Sequence, residues 1–244
     1  MNNTIKELME RRSVRVFEEK EISREDKETI LLAAVNAPSA GNQQMYRIID
    51  VTDQAVKDRL AVLCDNQPFI ATGKMVLVFC GDFRKWYDAF AAAGLDPRKV
   101  GTGDLVLGIE DSMIAAQNAV TAAWALGIGS CYIGDILENK EAIKELLGLP
   151  DYVFPSTLIV FGYPTTKQLE RTKPRREALQ YLVCENRYHQ SSGEELYAMF
   201  KDKQKFPDDK AVTEWLERFY KIKYNSDFAN EMTRSVNEYL KEYR

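Results

Sequence analysis

Apolar positions recur at helical spacing in residues 2–10, where Ile5, Leu8 and Met9 alternate with polar residues, so the pattern predicts a short amphipathic helix. A second helix is predicted from Ser23, with Asp26 three residues on as a capping-box variant and Ile30, Leu31 and Ala34 on one face. It should stop near Asn36, because Pro38 pushes Ala37 out of the α region. YRIIDVT (46–52) and MVLVFCG (75–81) read as strands, the second apolar enough to be buried on both faces, with a helix over 54–64 between them.

From Ile109 to Leu126 the chain is apolar nearly all round, which predicts a helix buried in the protein's middle or in a subunit interface. Glu110 and Asp111 suit its first turn, and Gly127 its end. SCYIG (130–134) then reads as extended, 138–147 as a helix and STLIVFG (156–162) as a strand. Strands separated by helices indicate an α/β or α+β layered core. After Gly162 the chain turns polar, with Pro164 and Pro174, and should run over the surface. Two amphipathic stripes follow, one on Trp215, Phe219 and Ile222, the other on Phe228, Met232, Val236 and Leu240. The expected organisation is one core domain over residues 1–190 with a helical extension over 191–244.

Composition narrows the class. With 45% hydrophobic and 29% charged residues over 244 positions, the chain should fold and bury a sizeable core. The 33 Lys+Arg against 37 Asp+Glu leave a net charge of -4, which argues against broad nucleic-acid binding. Any anionic partner must therefore be met by a local cationic cluster. Cys64, Cys80, Cys131 and Cys184 are widely spaced and form no C-x-x-C pair, the usage of reduced thiols rather than of disulfides or zinc. There is no secretory h-region at the start and no apolar run long enough to span a bilayer, so a cytoplasmic location is expected. His189 is the single histidine and lies in the polar stretch RYHQSSG, which excludes H-E-x-x-H and multi-histidine metal sites. No metal is expected, and the chemistry must come from something else.

GTGDLVLG (101–108) and GIGSCYIG (127–134) each contain G-x-G, but the next glycine falls at the wrong distance for a dinucleotide fingerprint, and no P-loop is present. RRSVRVF (11–17) sets Arg11, Arg12 and Arg15 around Ser13, and ERTKPRRE adds Arg171, Lys173, Arg175 and Arg176. Each cluster alone can be solvated surface. Together they could converge on one phosphate, with Arg forks for bidentate contacts, Lys as a point charge and Ser13 as a neutral donor. APSAGNQQ (37–44) is either a polar connection or a loop that reads the edge of a planar heterocycle through Ser39, Asn42, Gln43 and Gln44.

RRSVRVF, APSAGNQQ, the apolar helix running into GIGSCYIGD and then FGYPTTKQLERTKPR, in that order and spacing, resemble the FMN-dependent nitroreductases. DNQ at 65–67, K-P-R at 173–175 and ENRYHQ before a helical C-terminal part look most like the NADPH-preferring nitroreductase and flavin reductase branch; the resemblance covers residues 2–190. It implies an α+β nitroreductase-like sandwich, a mixed central sheet flanked by helices with a helical C-terminal extension. It also implies a homodimer holding FMN between its subunits.

The resemblance assigns Arg11, Arg12, Ser13 and Arg15 to the FMN phosphate and ribityl end, although a histidine often stands in that branch where Arg11 does. It puts Ser39, Gly41 and Asn42 beside the ring, Gln67 at the ring edge, and Tyr132, Ile133 and Gly134 along the isoalloxazine. Lys173 and Arg175 are directed at the phosphate side or the pyrimidine edge, where one of them would favour reduced flavin. No side chain is expected to be catalytic: FMN carries the redox chemistry, with NADPH (or NADH) as co-substrate and a nitroaromatic, quinone or free flavin as acceptor in a ping-pong cycle. Lys201, Lys203 and Lys205 are candidates to read the 2′-phosphate of NADPH. Two alternatives stay open, a dehalogenase of the same superfamily and a flavin- or phosphate-binding protein without turnover.

Overall fold

A computed structural model describes residues 2–244. Its strands are β1 (Tyr46–Asp50), β2 (Met75–Asp82), β3 (Gly129–Ile133) and β4 (Val153–Gly162). Its helices are α1 (Asn3–Glu10), α2 (Arg24–Val35), α3 (Gln54–Leu63), α4 (Arg84–Ala92), α5 (Thr102–Ala125), α6 (Lys140–Leu147), α7 (Thr166–Glu170), α8 (Leu179–Leu182), α9 (Gly193–Gln204), α10 (Asp209–Phe219) and α11 (Asp227–Leu240).

The strands form one sheet in the order β1-β2-β4-β3, every neighbour antiparallel. A parallel element enters at one edge, where Ser13 bridges Ser130. Side chains alternate across the sheet with the period of two that a pleated strand imposes. Val76, Val78 and Cys80 join Leu158 and Val160 in a core with Leu60, Leu63 and Ile143 from α3 and α6. Leu77 and Phe79 join Ile159 and Phe161 in a second core, with Ile30 and Ala34 from α2 and Ala115, Ala119 and Ala123 from α5. Both faces are covered, so β2 is buried along its whole length, as its unbroken apolar run predicts. Pro155 has no N–H to give the ladder, and the β2–β4 register shifts where it stands opposite Cys80.

Most predicted elements are found close to their expected bounds. Ser23 Oγ accepts the N–H of Asp26 at the start of α2, and that helix ends at Val35, ahead of Pro38. The apolar helix is a correction: α5 starts at Thr102, not Ile109. Gly101 is its N-cap, and the N–H of Gly101 donates to Asp104 Oδ2 at 2.9 Å. Arg98 pairs with Asp104 at 2.5 Å and holds that carboxyl below its usual range. The glycines that resemble a nucleotide loop thus form a helix start, and Glu110 and Asp111 lie mid-helix rather than in the first turn. α4 was not legible beforehand.

By contacts the chain divides into two compact units. One runs to Arg171 and includes Glu231–Arg244; the other is Thr172–Asn230. In the first, Tyr239 and Tyr243 at the C-terminal end are buried with Phe154, Val100 and Leu105. In the second, Ser192 and Glu195 form a capping box at the start of α9. Trp215 lies 5.2 Å from both Phe200 and Phe219, ring centroid to centroid. The predicted stripe stops at Phe219, because a π turn over Tyr220–Tyr224 follows and leaves Ile222 exposed. No helix among the described residues is long and apolar enough to cross a membrane.

Candidate functional site

RRSVRVF lies along the sheet edge. The N–H of Val14 donates to Ser130 O at 2.9 Å, and the N–H of Glu18 donates to Tyr163 O at 2.9 Å. Two glycines make room for it. A Cβ on Gly129 would stand 2.6 Å from Val14, and one on Gly162 would stand 2.7 Å from Phe17. Val14 is thereby buried, and its polar neighbours are turned outward.

Burial pushes the Cys131 thiol up, opposed by the nearby charges of Arg15 and Arg11 and by the polar Ser13. Arg11 Nη1 is buried and has no hydrogen-bond partner among the described residues. A buried guanidinium nitrogen without a partner is costly unless an anion satisfies it. Arg12 turns elsewhere: its Nη1 donates to Leu169 O at 2.5 Å and to Arg171 O at 2.8 Å, pinning the chain after α7.

The remaining residues of interest in this unit are laid out along α5. Asp111 is buried in mid-helix, and its carboxylate accepts the N–H of Ala40 and the N–H of Met45, each at 2.9 Å. Those two bonds close the loop that carries Ser39, Gly41 and Asn42. Within it, Gly41, Asn42 and Gln44 take positive φ (56°, 55° and 49°), and Ser39 Oγ accepts the N–H of Gln44. α4 supports the loop from outside, as Lys85 donates to Gln44 O and Trp86 Nε1 to Gln43 O. Six residues further along α5, Gln117 Oε1 accepts the hydroxyl of Tyr132 at 3.2 Å. One turn beyond, Thr121 and Trp124 line a small recess with Arg11, Glu7 and Leu8 of the first segment. At 1.5 Å per residue, the loop, Tyr132 and Arg11 are strung over about 15 Å of one helix.

Tyr132 is partly buried, and burial pushes its hydroxyl up to about 12 against the opposing charge of Arg11. Ile133 is buried beside it. Gly134 opens a 3-10 turn, Gly134–Leu137, and no described atom lies within 4 Å of where a Cβ on it would stand. Gln67 follows two residues of positive φ, Asp65 and Asn66. Its Nε2 donates to Cys64 O at 2.9 Å and to Asp135 Oδ2 at 2.7 Å. With both amide hydrogens engaged, Gln67 has its carbonyl oxygen to offer elsewhere.

Lys173 and Arg175 lie in the second unit, in a stretch without regular structure between α7 and α8. In the same unit Lys201 pairs with Asp209, Lys203 with Glu177 and Lys205 with Asp202. Lys201 and Lys205 border a cavity of about 700 Å³ whose other walls include Glu194, Tyr197 and Phe206. His189 is exposed and its Nε2 lies 3.1 Å from Glu195. Among the described residues no group of three or more His, Cys, Asp or Glu is placed to hold a metal ion.

Sequence reasoning did not find Asp111, Gln117 or Asp135. Asp111 carried one available signal: a carboxylate in the middle of an apolar helix needs buried partners.

Residues 8–163 match the family described as Nitroreductase family. The chain is 35% identical over 202 residues to the oxygen-insensitive NADPH nitroreductase of Salmonella typhimurium, covering 83% of this chain and 81% of the relative. It is 31% identical over 241 residues to a Cr(VI) reductase of a Pseudomonas species, covering 98% and 93%. Among solved structures, the NADPH:FMN oxidoreductase from Vibrio harveyi complexed with NAD+ superposes with a TM-score of 0.80 at 27% identity, over 98% of each chain.

Proposed function

The chain belongs to the nitroreductase family, and from that premise we propose that it is an FMN-dependent oxidoreductase that draws electrons from NAD(P)H, with NADPH the favoured donor. Its acceptors are small oxidants of the nitroaromatic, quinone or free-flavin kind. The observation that carries the reading is Arg11. A buried cationic nitrogen without a partner among the described residues, with Ser13 and Arg15 on the same segment, is a cationic, donor-rich set that fits a phosphate. When bound, FMN supplies the redox centre that no side chain here offers.

The protein's work is then to bind and orient. Arg11, Ser13 and Arg15 would hold the phosphate end, with Arg12 adding the Nη2 edge that its bonds to Glu10 O, Leu169 O and Arg171 O leave over. Ser39, Gly41 and Asn42 would stand beside the ring on the loop clamped by Asp111. Gln67 would present its carbonyl oxygen to a ring N–H, and Tyr132, Ile133 and Gly134 would line the flat surface. Lys173 and Arg175 keep the pyrimidine-edge or phosphate role on the strength of the sequence resemblance. If Lys173 favours reduced flavin, Lys173→Ala lowers the potential of bound FMN while Arg15→Ala chiefly weakens binding.

We further propose a homodimer. Val106, Leu107, Met113 and Ile114 of α5 are exposed in the single chain, an apolar face on the helix that carries the site. Light scattering that returns a monomer at micromolar concentration removes this. A cytoplasmic location suits four unlinked thiols.

The deciding experiment is direct. Purified protein should be yellow or take up FMN stoichiometrically, and anaerobic NADPH should bleach it, with colour returning on addition of a quinone. A colourless protein that binds no FMN ends the proposal. One that binds FMN but is not bleached by NADPH or NADH is a flavin-binding protein without turnover.

A further inference from the structure

Behind Gln67 stands a carboxyl group that nothing so far explains. Glu138 follows the 3-10 turn and is only 6% exposed, yet its Oε1 has no hydrogen-bond partner among the described residues. A buried carboxylate with an orphaned oxygen is unfavourable, and protonation is the simplest relief. Its surroundings point the same way. The negative charges of Asp135 in the same turn, Asp65 in the turn after α3 and Glu231 on α11 all act on it. The Cys64 thiol at the end of α3 also feels both Asp135 and Glu138. Arg234 of α11, beside Glu231, is committed to Glu231 and Glu141.

We propose that Glu138 is a positioning residue behind Asp135 and Gln67, and that it takes up a proton when negative charge arrives at the ring edge Gln67 faces. The path is short: the charge of Asp135 acts on Glu138, and Asp135 Oδ2 accepts from Gln67 Nε2 at 2.7 Å. The same bond fixes which end of the Gln67 amide is presented. The step moves one proton from solvent hydronium to the Glu138 carboxylate, breaking an O–H bond of the hydronium, forming one on Glu138 and breaking none in the protein. The two electrons come from NAD(P)H. Burial and the facing carboxylates raise Glu138 to about 7, so the exchange falls in the working range of pH. The inference rests on the FMN reading above.

The test is the midpoint potential of bound FMN followed across neutral pH. In the wild type the dependence should steepen above about pH 7 by about one proton per electron pair, because charge at the ring raises the affinity of Glu138 for the proton. Glu138→Gln should show a single slope through the same window. Asp135→Asn, which keeps an oxygen for Gln67 but removes the facing charge, should move the break toward acid by about one unit or more, and it serves if Glu138→Gln does not fold. A wild type that binds FMN and shows no steepening overturns the proposal alone, as does a Glu138→Gln variant that keeps the steepening. Failure to bind FMN removes the functional reading first and this proposal with it.

Discussion

The cations at 11–15 and the lysines at 201–205 look alike in sequence, yet they hold their charge differently. Lys201, Lys203 and Lys205 each have a carboxylate partner within their own unit. Arg11 has a buried Nη1 with no hydrogen-bond partner among the described residues, and Ser13 and Arg15 follow it on the same segment. A paired surface lysine gains little and has little left to give, since such pairs are worth about 0–1 kcal/mol. A desolvated guanidinium edge gains the full value of a charge-assisted bond when an anion arrives. Cationic density in a sequence therefore says less about an anion site than whether the fold has already neutralised it.

The sharpest way to break that contrast is to compare FMN affinity after removing each group. Arg11→Ala should raise the dissociation constant about 10- to 100-fold, the equivalent of a lost charge-assisted bond. Arg11→Lys should recover part of it. Neutralising Lys201, Lys203 and Lys205 together should change it by less than about threefold. Quenching of FMN fluorescence on binding measures all of these. Equal losses in the two regions would show that the orphaned nitrogen is not what receives the phosphate.

The same contrast extends to anchoring, because the site residues of the first unit are tied to α5. Asp111→Ala leaves the N–H groups of Ala40 and Met45 without their acceptor and should cost about 2–4 kcal/mol in urea unfolding. It should also weaken FMN binding several-fold through the loop carrying Ser39 and Asn42. A normal unfolding midpoint with normal FMN affinity would mean that the loop holds its own shape through Ser39, Lys85 and Trp86.

How much of this was legible follows from the range over which each signal acts. The strands, α2 and the end of α5 are set by periodicity and local capping, so their residues announce them. The start of α5 was missed because Gly101 and Gly103 look like loop residues; only Asp104, bonded back to Gly101 and to Arg98, marks them as a helix opening. α4 has its apolar residues half-exposed against other parts of the unit and gave no clear stripe. Gln67 was expected at the ring edge, but its orientation comes from Asp135, 68 residues away, and no local pattern encodes that. Arg12 shows the opposite limit. Its place among the arginines was plain, whereas its bonds to Leu169 O and Arg171 O depend on how the chain leaves β4.

A smaller effect tests whether paired lysines can still discriminate. If Lys201, Lys203 and Lys205 read the 2′-phosphate, it must displace their carboxylates, and only the difference between the two partners is gained. Neutralising all three should then lower the NADPH-to-NADH ratio of kcat/KM by about three- to tenfold, about 0.7–1.4 kcal/mol. The effect should shrink as salt is raised. An unchanged ratio removes these lysines from coenzyme selection and leaves them as structural pairs.

The smallest expected effect concerns one of those pairs by itself. The hydrogen bond from Lys203 holds the Glu177 carboxyl below its usual value. For a carboxyl whose value is lowered in the folded protein, the stabilisation is present above the unfolded value of 4.5 and is lost as pH falls through the lower folded one. Glu177 is close to the surface, so solvent screening limits the pair to about 0.5 kcal/mol. Lys203→Ala should therefore differ from the wild type by about that amount in urea unfolding at pH 7, and by progressively less as pH falls below 4.5. A difference that persists in acid would show that Lys203 stabilises its unit through the packing of its aliphatic stem rather than through charge. The lysine region would then resemble the arginine region in being built around its cation, and the contrast between them would narrow to the buried Nη1 of Arg11, which has no partner among the described residues.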